Sequence, residues 1–570
     1  MSDVEWNPPG PGPWSQDRAH LPVSATRLIQ EVYPDGFRRG FAETFAPWGV
    51  VLDTIEQAFV NGFPYLQPVP FDAPGPDGPP SPEELEAEIG RRAAVAATVF
   101  DEKPWREVLD RWDNELKPAA VARHEALAGL DLTTLDDEGL RAHLHACVEH
   151  LGAMWYQHHR FNCMAMLPVG DFVLQAAGWS GRDPIPIFAV VDGWSPVSGV
   201  VPPEMAAAIS AIRGDDDARS LLDSDRPASE RMAELRSRVP EVESYMRAAG
   251  HRLSAGFDLT NPTIGERPDV VLDRIRSAID HEGSDTERAD ALAAEIRADI
   301  PEQHRSAFDE LLGEARLVYR LRDERGLYSD AAAVGIMRLA LIELGRRLFE
   351  AGRINVMYDT LDIGRDEIDL LLDGAPSPTA DELSARVAHR KELSAEGAPR
   401  TLGPPPPEPP PPDALPPSIG RVMAALGFYI EGIGGDLETP VGDSDLVIGV
   451  AASPGTVEGP VRIVRNFDDL FQLREGEVLV TTATGESFNA FLHLVSAIIT
   501  DHGSFASHAA IMGREMGVPA VVGTVDATSR IPDGARVRVD GGAGTVVVLS
   551  TDLLGETIDL TPVEDTTPTP

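Results

Sequence analysis

Lysine is nearly missing from this chain. Lys103, Lys117 and Lys391 are its only representatives in 570 residues, and none follows a glycine. A Gly-x-x-x-x-Gly-Lys-Ser/Thr phosphate loop is thereby excluded. Cysteine is equally scarce. Cys147 and Cys163 cannot build a disulfide framework, which points to a reducing, cytoplasmic setting. No long uncharged apolar run suggests a membrane span. The opening residues 1–14 are acidic and rich in proline and glycine, unlike the basic-then-apolar pattern of an export signal.

Positive charge is in deficit. Acidic residues outnumber basic ones by 92 to 49, for a formal charge of −43. Nucleic acid and anionic membranes both require basic patches, so neither is expected as a partner. A local group of arginines for phosphate remains compatible with that total.

The length suggests roughly three to four domains. Residues 1–20 read as a loose N-terminal arm. Residues 21–373 read as a large helical domain, because apolar residues recur at three- and four-residue spacing over 140–166, 269–300 and 306–348. Clusters of proline and glycine at 68–80, 181–203 and 260–268 punctuate it. Residues 374–445 read as a Pro-rich linker and helix leading to a hinge. The proline run 404–412 cannot be helix interior and is extended, either as a stiff spacer or as a strap packed on the helical domain. A short helix is expected over 418–430, then a flexible entry over 432–441. Residues 446–553 carry short β-rich runs at 459–464, 477–480, 496–499, 520–522, 536–539 and 545–549, with glycine turns between them. Residues 554–570 read as a flexible tail.

The most informative stretch runs from Thr500 to Gly523. An apolar strand, Ala497-Ile498-Ile499, enters the small-residue loop Gly503-Ser504, and the loop delivers His508 to the first turn of a short helix. Ser507 is a good N-cap, since its hydroxyl accepts a bond from a first-turn amide. His508 then sits among amides that lack intrahelical partners, at the positive end of a helix. Such a site stabilises a dianionic group, and a phosphorylated imidazole is one.

The surrounding elements extend this reading. Gly449-Val450-Ala451-Ala452-Ser453-Pro454-Gly455 comes first, then Gly459-Pro460-Val461-Arg462-Ile463-Val464, then Gly476-Glu477-Val478-Leu479-Val480. The Ser507-His508-Ala509-Ala510 to Arg514-Glu515 helix follows. Gly534, Val539-Asp540-Gly541 and Gly544-Thr545-Val546 close the pattern. In this order, residues 447–549 resemble the phosphohistidine swivelling domain of the phosphoenolpyruvate-utilising enzyme family. The family usually has Gly-Gly where this chain has Gly503-Ser504, and often Thr where Ala506 stands. The resemblance implies a β/β/α swivelling domain in which His508 accepts and passes on a phosphoryl group, with Gly503, Ser504 and Ser507 forming the phosphate loop. The fold class expected is multidomain α+β: a large, mainly α-helical substrate-binding domain followed by that C-terminal domain.

The helical part also carries motifs. Tyr245-Met246-Arg247-Ala248-Ala249-Gly250-His251-Arg252 precedes Asp258. Leu321-Arg322-Asp323-Glu324-Arg325 precedes Arg338 and Arg346-Arg347. These segments resemble the acceptor-binding domain of rifampicin phosphotransferases and the large subunits of phenylphosphate-synthase-like enzymes. By that resemblance Arg322, or Arg325, brings a guanidinium to the incoming phosphohistidine. The charge on the migrating group's equatorial oxygens suits such a fork. The alternative is that Arg322 pairs with Asp323 or Glu324 on a helix surface. His251 is a candidate base for an acceptor hydroxyl, or a structural, hydrogen-bonded histidine.

His143, His145, Cys147 and His150, followed by His158, His159 and Cys163, look like metal ligands at first sight. Ligands strung along one helix seam are too spread out to meet one ion, so no metal is expected. Trp155, His158, His159, Phe161 and Met164 instead suit a pocket for an apolar or aromatic acceptor, with core packing as the alternative.

Together these features imply the phosphohistidine-carrying, acceptor-binding subunit of a two-component, dikinase-type phosphotransferase. No nucleotide-binding segment is recognisable, so ATP and Mg2+ are expected on an ATP-grasp-type partner subunit, with none bound by this chain itself. The product is a phosphorylated hydroxyl of a small, aromatic or phenolic molecule. The other reading is a regulatory phosphocarrier whose helical domain binds a protein or effector.

Overall fold

In the computed structural model the apolar stripes of the first four hundred residues become helices whose buried faces meet in separate cores. The structure describes residues 5–550, apart from 19, 22, 76–77, 198–202, 255, 280–285, 407–413, 435–444, 486–487 and 489–490. The chain divides into two units, one built mainly from residues 1–432 and the other from 433–484 and 491–570.

In the first unit, the helix Asp137–His159 starts at Asp136, whose carboxylate accepts the Gly139 N–H at 2.8 Å. Leu140, Leu144, Val148 and Leu151 fall on one face of it and are buried. They pack with Leu28, Ile29 and Tyr33 of the helix Arg27–Phe45 and with Val334, Met337 and Leu341 of the helix Ala331–Glu350. Each such side chain contributes about 1.5–3 kcal/mol by leaving water. A second core joins the helices Pro203–Arg213, Ala228–Arg238, Pro240–Ala249 and Pro268–Ile279 through Ile209, Leu235, Val242 and Leu272. A single turn of wider, π-type winding, Gly326–Asp330, interrupts the helical run between Leu321–Arg325 and Ala331–Glu350.

Two expectations from the sequence need correction here. The N-terminal segment is not a loose arm throughout. β1 (Trp14–Gln16) lies inside a four-stranded sheet with β2 (Leu52–Val60), β3 (Phe63–Pro70) and β4 (Thr401–Leu402), in the order β2-β3-β1-β4. Trp14 is buried there with Phe63, Tyr65 and Leu402, and this apolar cluster is what holds the segment down. Nor do the described residues of 374–445, read as a Pro-rich linker and helix, serve only as a connection. On the helix Ala380–Glu392, Leu383 enters the main core and Arg390 pairs with the buried Asp362 at 2.6 Å. The helix Pro417–Gly434 buries Ile419, Val422, Leu426 and Tyr429. Arg421 on that helix binds both oxygens of buried Asp171, at 2.7 and 2.8 Å. Gly170 lets this helix come close, since a Cβ there would lie 2.0 Å from the Ala425 carbonyl oxygen. Residues 407–413 of the proline run, most of the flexible entry, the first four residues and the tail lie outside the described residues. Among the described residues no helix is long and apolar enough to cross a membrane.

The second unit is an eight-stranded sheet. Its strands are β5 (Leu446–Ile448), β6 (Val450–Ser453), β7 (Thr456–Val464), β8 (Val478–Thr481), β9 (Ala497–Thr500), β10 (Ala520–Val522), β11 (Arg536–Asp540) and β12 (Thr545–Ser550). Their order is β5-β12-β11-β7-β8-β9-β10-β6. β7, β8, β9 and β10 run parallel, in registers that set Val461 beside Val478, Val478 beside Ala497, and Ile498 beside Ala520. Parallel strands are covered on both faces and read as unbroken apolar runs; β8, β9 and β10 are buried at every position. All six runs expected from the sequence are strands. β5 and β6, at the two edges, are additional. A mainly helical unit followed by this strand-rich one makes the chain a multidomain α+β protein.

Candidate functional site

β9 ends at Thr500, and the loop beyond it is fixed from several sides before it reaches His508. Asp501 is buried beneath the loop. It accepts the Thr528 N–H at 2.9 Å and the Thr528 hydroxyl, and burial pushes its carboxyl up to about 6. Gly503 has φ +108°, and a Cβ there would sit 2.9 Å from the Ser507 side chain. Arg514 reaches back from the helix to the Phe505 carbonyl at 2.9 Å and the Ala452 carbonyl at 3.3 Å.

The helix His508–Met516 begins as the sequence implied. Ser507 is its N-cap in an extended conformation, and its hydroxyl accepts the Ala510 N–H at 3.4 Å. Such caps contribute about 1 kcal/mol. His508 is the first residue of the helix and is half-buried, with its Nε2 on the buried side. Nδ1 lies 2.9 Å from the hydroxyl oxygen of Thr484, in the loop after β8. Ser504 is buried, and its hydroxyl has no hydrogen-bond partner among the described residues. Gly503, Ser504 and Ser507 therefore share the loop that delivers His508. Thr484 escaped the sequence reading. The signal for it is topological: loops at the carboxyl ends of neighbouring parallel strands converge on one crevice.

The candidates of the helical unit fall in three places. Arg322 lies bidentate on Asp323, at 2.7 and 2.9 Å, with its guanidinium 5.1 Å from the Tyr319 ring centroid. The pairing weighed for a surface helix exists, but the pair is largely buried, at 12% and 7% side-chain exposure. Ser195 also donates to Asp323. Arg325 is buried, and its Nε donates to the Arg322 carbonyl at 3.3 Å.

His251 is buried beside His124, with ring centroids 6.1 Å apart, and His124 in turn lies 4.9 Å from His150. Burial, reinforced by the neighbouring Arg252, depresses His251 to about 4. Burial takes His150 to about 4 and His124 to about 2, so this group is a set of neutral imidazoles. Arg252 itself is held by Glu204.

Trp155 stacks on Tyr33 at 3.7 Å, and Phe161 packs edge-on against Trp112 at 5.2 Å. Both belong to the packed interior, as does His159, whose Nδ1 lies 2.8 Å from the Trp155 carbonyl oxygen. His158 differs from them, keeping 16% side-chain exposure. Both cysteines are buried thiols, pushed up to about 12 by burial. Among the described residues no group of three or more His, Cys, Asp or Glu is arranged to hold a metal ion.

His508 thus stands at a capped helix start, in a loop that leaves the carboxyl end of a parallel strand. Residues 473–544 match the mobile domain of PEP-utilising enzymes, and residues 171–323 match the fourth domain of rifampicin phosphotransferase. The chain thus matches both of these domain families, and its relatives include phosphotransferases. It is 30% identical over 330 residues to an uncharacterised phosphotransferase of Bacillus subtilis, covering 56% of this chain and 38% of that protein. It is 29% identical over 333 residues to the rifampicin phosphotransferase of Streptomyces sviceus, covering 54% and 34%. Against the chondramide synthase of Chondromyces crocatus it is 27% identical over 573 residues, covering 94% of this chain and 14% of the synthase. The chain spans less than half the length of each of these relatives.

Proposed function

We propose that this chain is the phosphohistidine-carrying, acceptor-binding component of a two-component, ATP-dependent phosphotransferase. The observation that carries the reading is His508 at a capped helix start with its Nδ1 on the Thr484 hydroxyl. With the Nδ1 proton donated to Thr484 Oγ1, the Nε2 lone pair is the nucleophile. The free amides at the helix start offset the charge of the arriving phosphoryl group. A separate ATP-grasp-type subunit supplies ATP and Mg2+. The phosphoryl group then passes to a hydroxyl of a small aromatic or phenolic acceptor held by the helical unit, an assignment supported by the rifampicin phosphotransferase match over residues 171–323. Arg322 or Arg325 clamps the migrating group. The balance is ATP, acceptor and water giving AMP, phosphate and phosphorylated acceptor, the water being consumed in releasing the phosphate.

The test uses ATP labelled in its β and γ phosphates. Label should reach His508 only when an ATP-grasp partner is present, and not at all in His508→Ala. Self-labelling by the chain alone would remove the two-component reading. Turnover by His508→Ala at the unmodified rate would remove the phosphohistidine itself.

A further inference from the structure

The last turn of the helix Asp137–His159 and the π-type turn Gly326–Asp330 bring two titratable side chains together. His158 Nδ1 lies 2.7 Å from Asp330 Oδ1. Beside them, Gln157 Nε2 donates to Ser329 Oγ at 3.2 Å, which fixes the two turns against each other. Asp330 is 1% exposed, and its second oxygen is buried without a partner. Among the described residues the Nε2 of His158 makes no hydrogen bond, and the side chain keeps its 16% opening. A pair that served only to join two helices would satisfy its polar atoms, because an orphaned buried group costs about 1–3 kcal/mol. Here one oxygen and one ring nitrogen are left over.

The surroundings fit a site for a neutral hydroxyl. Trp155 lies 5.8 Å from the His158 ring and 6.1 Å from Phe257, giving an aromatic frame. Arg325 lies near enough to act on both His158 and Asp330. Burial depresses His158 well below its ordinary value and pushes Asp330 up to about 7, so the ring is uncharged at neutral pH and, with its proton on Nδ1, carries a lone pair on Nε2.

We propose that His158 is the general base that removes the proton from the acceptor hydroxyl, with Asp330 as the positioning residue that holds its Nδ1–H. The step rests on the phosphohistidine reading above. The acceptor O–H bond breaks and its proton goes to His158 Nε2. The oxygen forms a bond to phosphorus, the P–N bond to His508 breaks, and that electron pair returns to the ring of His508. This gives His158, rather than His251, the role of base.

The experiment needs neither ATP nor a partner, so it succeeds or fails independently of the phosphoryl relay. The full chain is titrated at neutral pH with 7-hydroxycoumarin, an aromatic alcohol whose neutral and anionic forms absorb at separate wavelengths. Bound probe is measured by fluorescence anisotropy and its ionisation by absorbance. Bound anion should exceed that of free probe in the wild type. The excess should fall at least about tenfold in His158→Gln and in Asp330→Asn, in keeping with the reach of general-base groups. Circular dichroism and thermal unfolding identify a variant that fails to fold, in which case the folded one of the two decides. The proposal is overturned if the wild type does not bind the probe or binds it without excess anion. It is overturned equally if the excess survives in a folded His158→Gln, or is lost in His251→Gln while His158→Gln keeps it.

Discussion

Thr484 orients the ring of His508, since its hydroxyl is the partner of Nδ1. Thr484→Val keeps the shape and removes the hydrogen bond. Labelling of His508 should slow several-fold to about tenfold, in line with the ~1 kcal/mol of a single hydrogen bond, with little change in melting temperature. Arg322 presents a harder case, because its side chain already satisfies a buried carboxylate. Arg322→Ala leaves Asp323 without its cation and should destabilise the helical unit by about 3–5 kcal/mol. Arg322→Lys is therefore the informative variant. If the guanidinium fork clamps the migrating group, this variant accepts phosphate on His508, passes it on slowly and accumulates phosphohistidine, as rapid-quench sampling would record. Asp501 makes a prediction about pH. The folded protein holds its proton up to about 6, above the ordinary value of 3.8, so the native state binds the extra proton between those values. Stability of the strand-rich unit should fall as pH rises from about 4 to about 6, by on the order of 2–3 kcal/mol, and Asp501→Asn should flatten that slope in urea melts. At this scale the sequence was legible where chemistry is local. Ser507 and His508 are adjacent, and a cap pattern betrays them. Asp330 and His158 are 172 residues apart, and no spacing rule links them.

Among the elements, the parallel strands were readable because full burial makes them uninterrupted apolar runs bounded by glycine. The hairpin β2–β3 was not, because Pro64, Pro68 and Pro70 make its second strand look like punctuation. β1 is three residues long and gains its order from partners far along the chain. The helix Pro417–Gly434 was expected as a short element after a spacer, yet it is seated on the helix Asn162–Ser180 through Arg421 and Gly170. Two glycines of that second helix give a matched test. Gly170→Ala drives a methyl into the Ala425 carbonyl and should cost about 1–3 kcal/mol. Gly178→Ala meets nothing within 4 Å, and should be neutral or stabilising by up to ~1 kcal/mol. Thermal melts of the two variants should shift in opposite directions or differ by several degrees. Equal shifts would mean that the two helices are not in close contact.

For the molecule as a whole, division into two units carries a thermodynamic expectation. The strand-rich unit has its own core of Val461, Val478, Val480, Ile499, Val521 and Val539, distinct from the helical cores. A fragment covering residues 433–550 should therefore fold cooperatively and still take label on His508 from an ATP-grasp partner. A fragment that melts without a transition would show that the unit depends on the rest of the chain. The π-type turn Gly326–Asp330 has a consequence of another kind. In an α-helix each residue advances the side-chain direction by about 100°. One residue more or less in this turn would leave both flanking helices intact and rotate Asp330 away from His158. Such wider turns commonly arise by single-residue insertion and gather at functional sites. A single codon gained or lost there would thus reset the pairing of His158 with Asp330 through backbone winding alone.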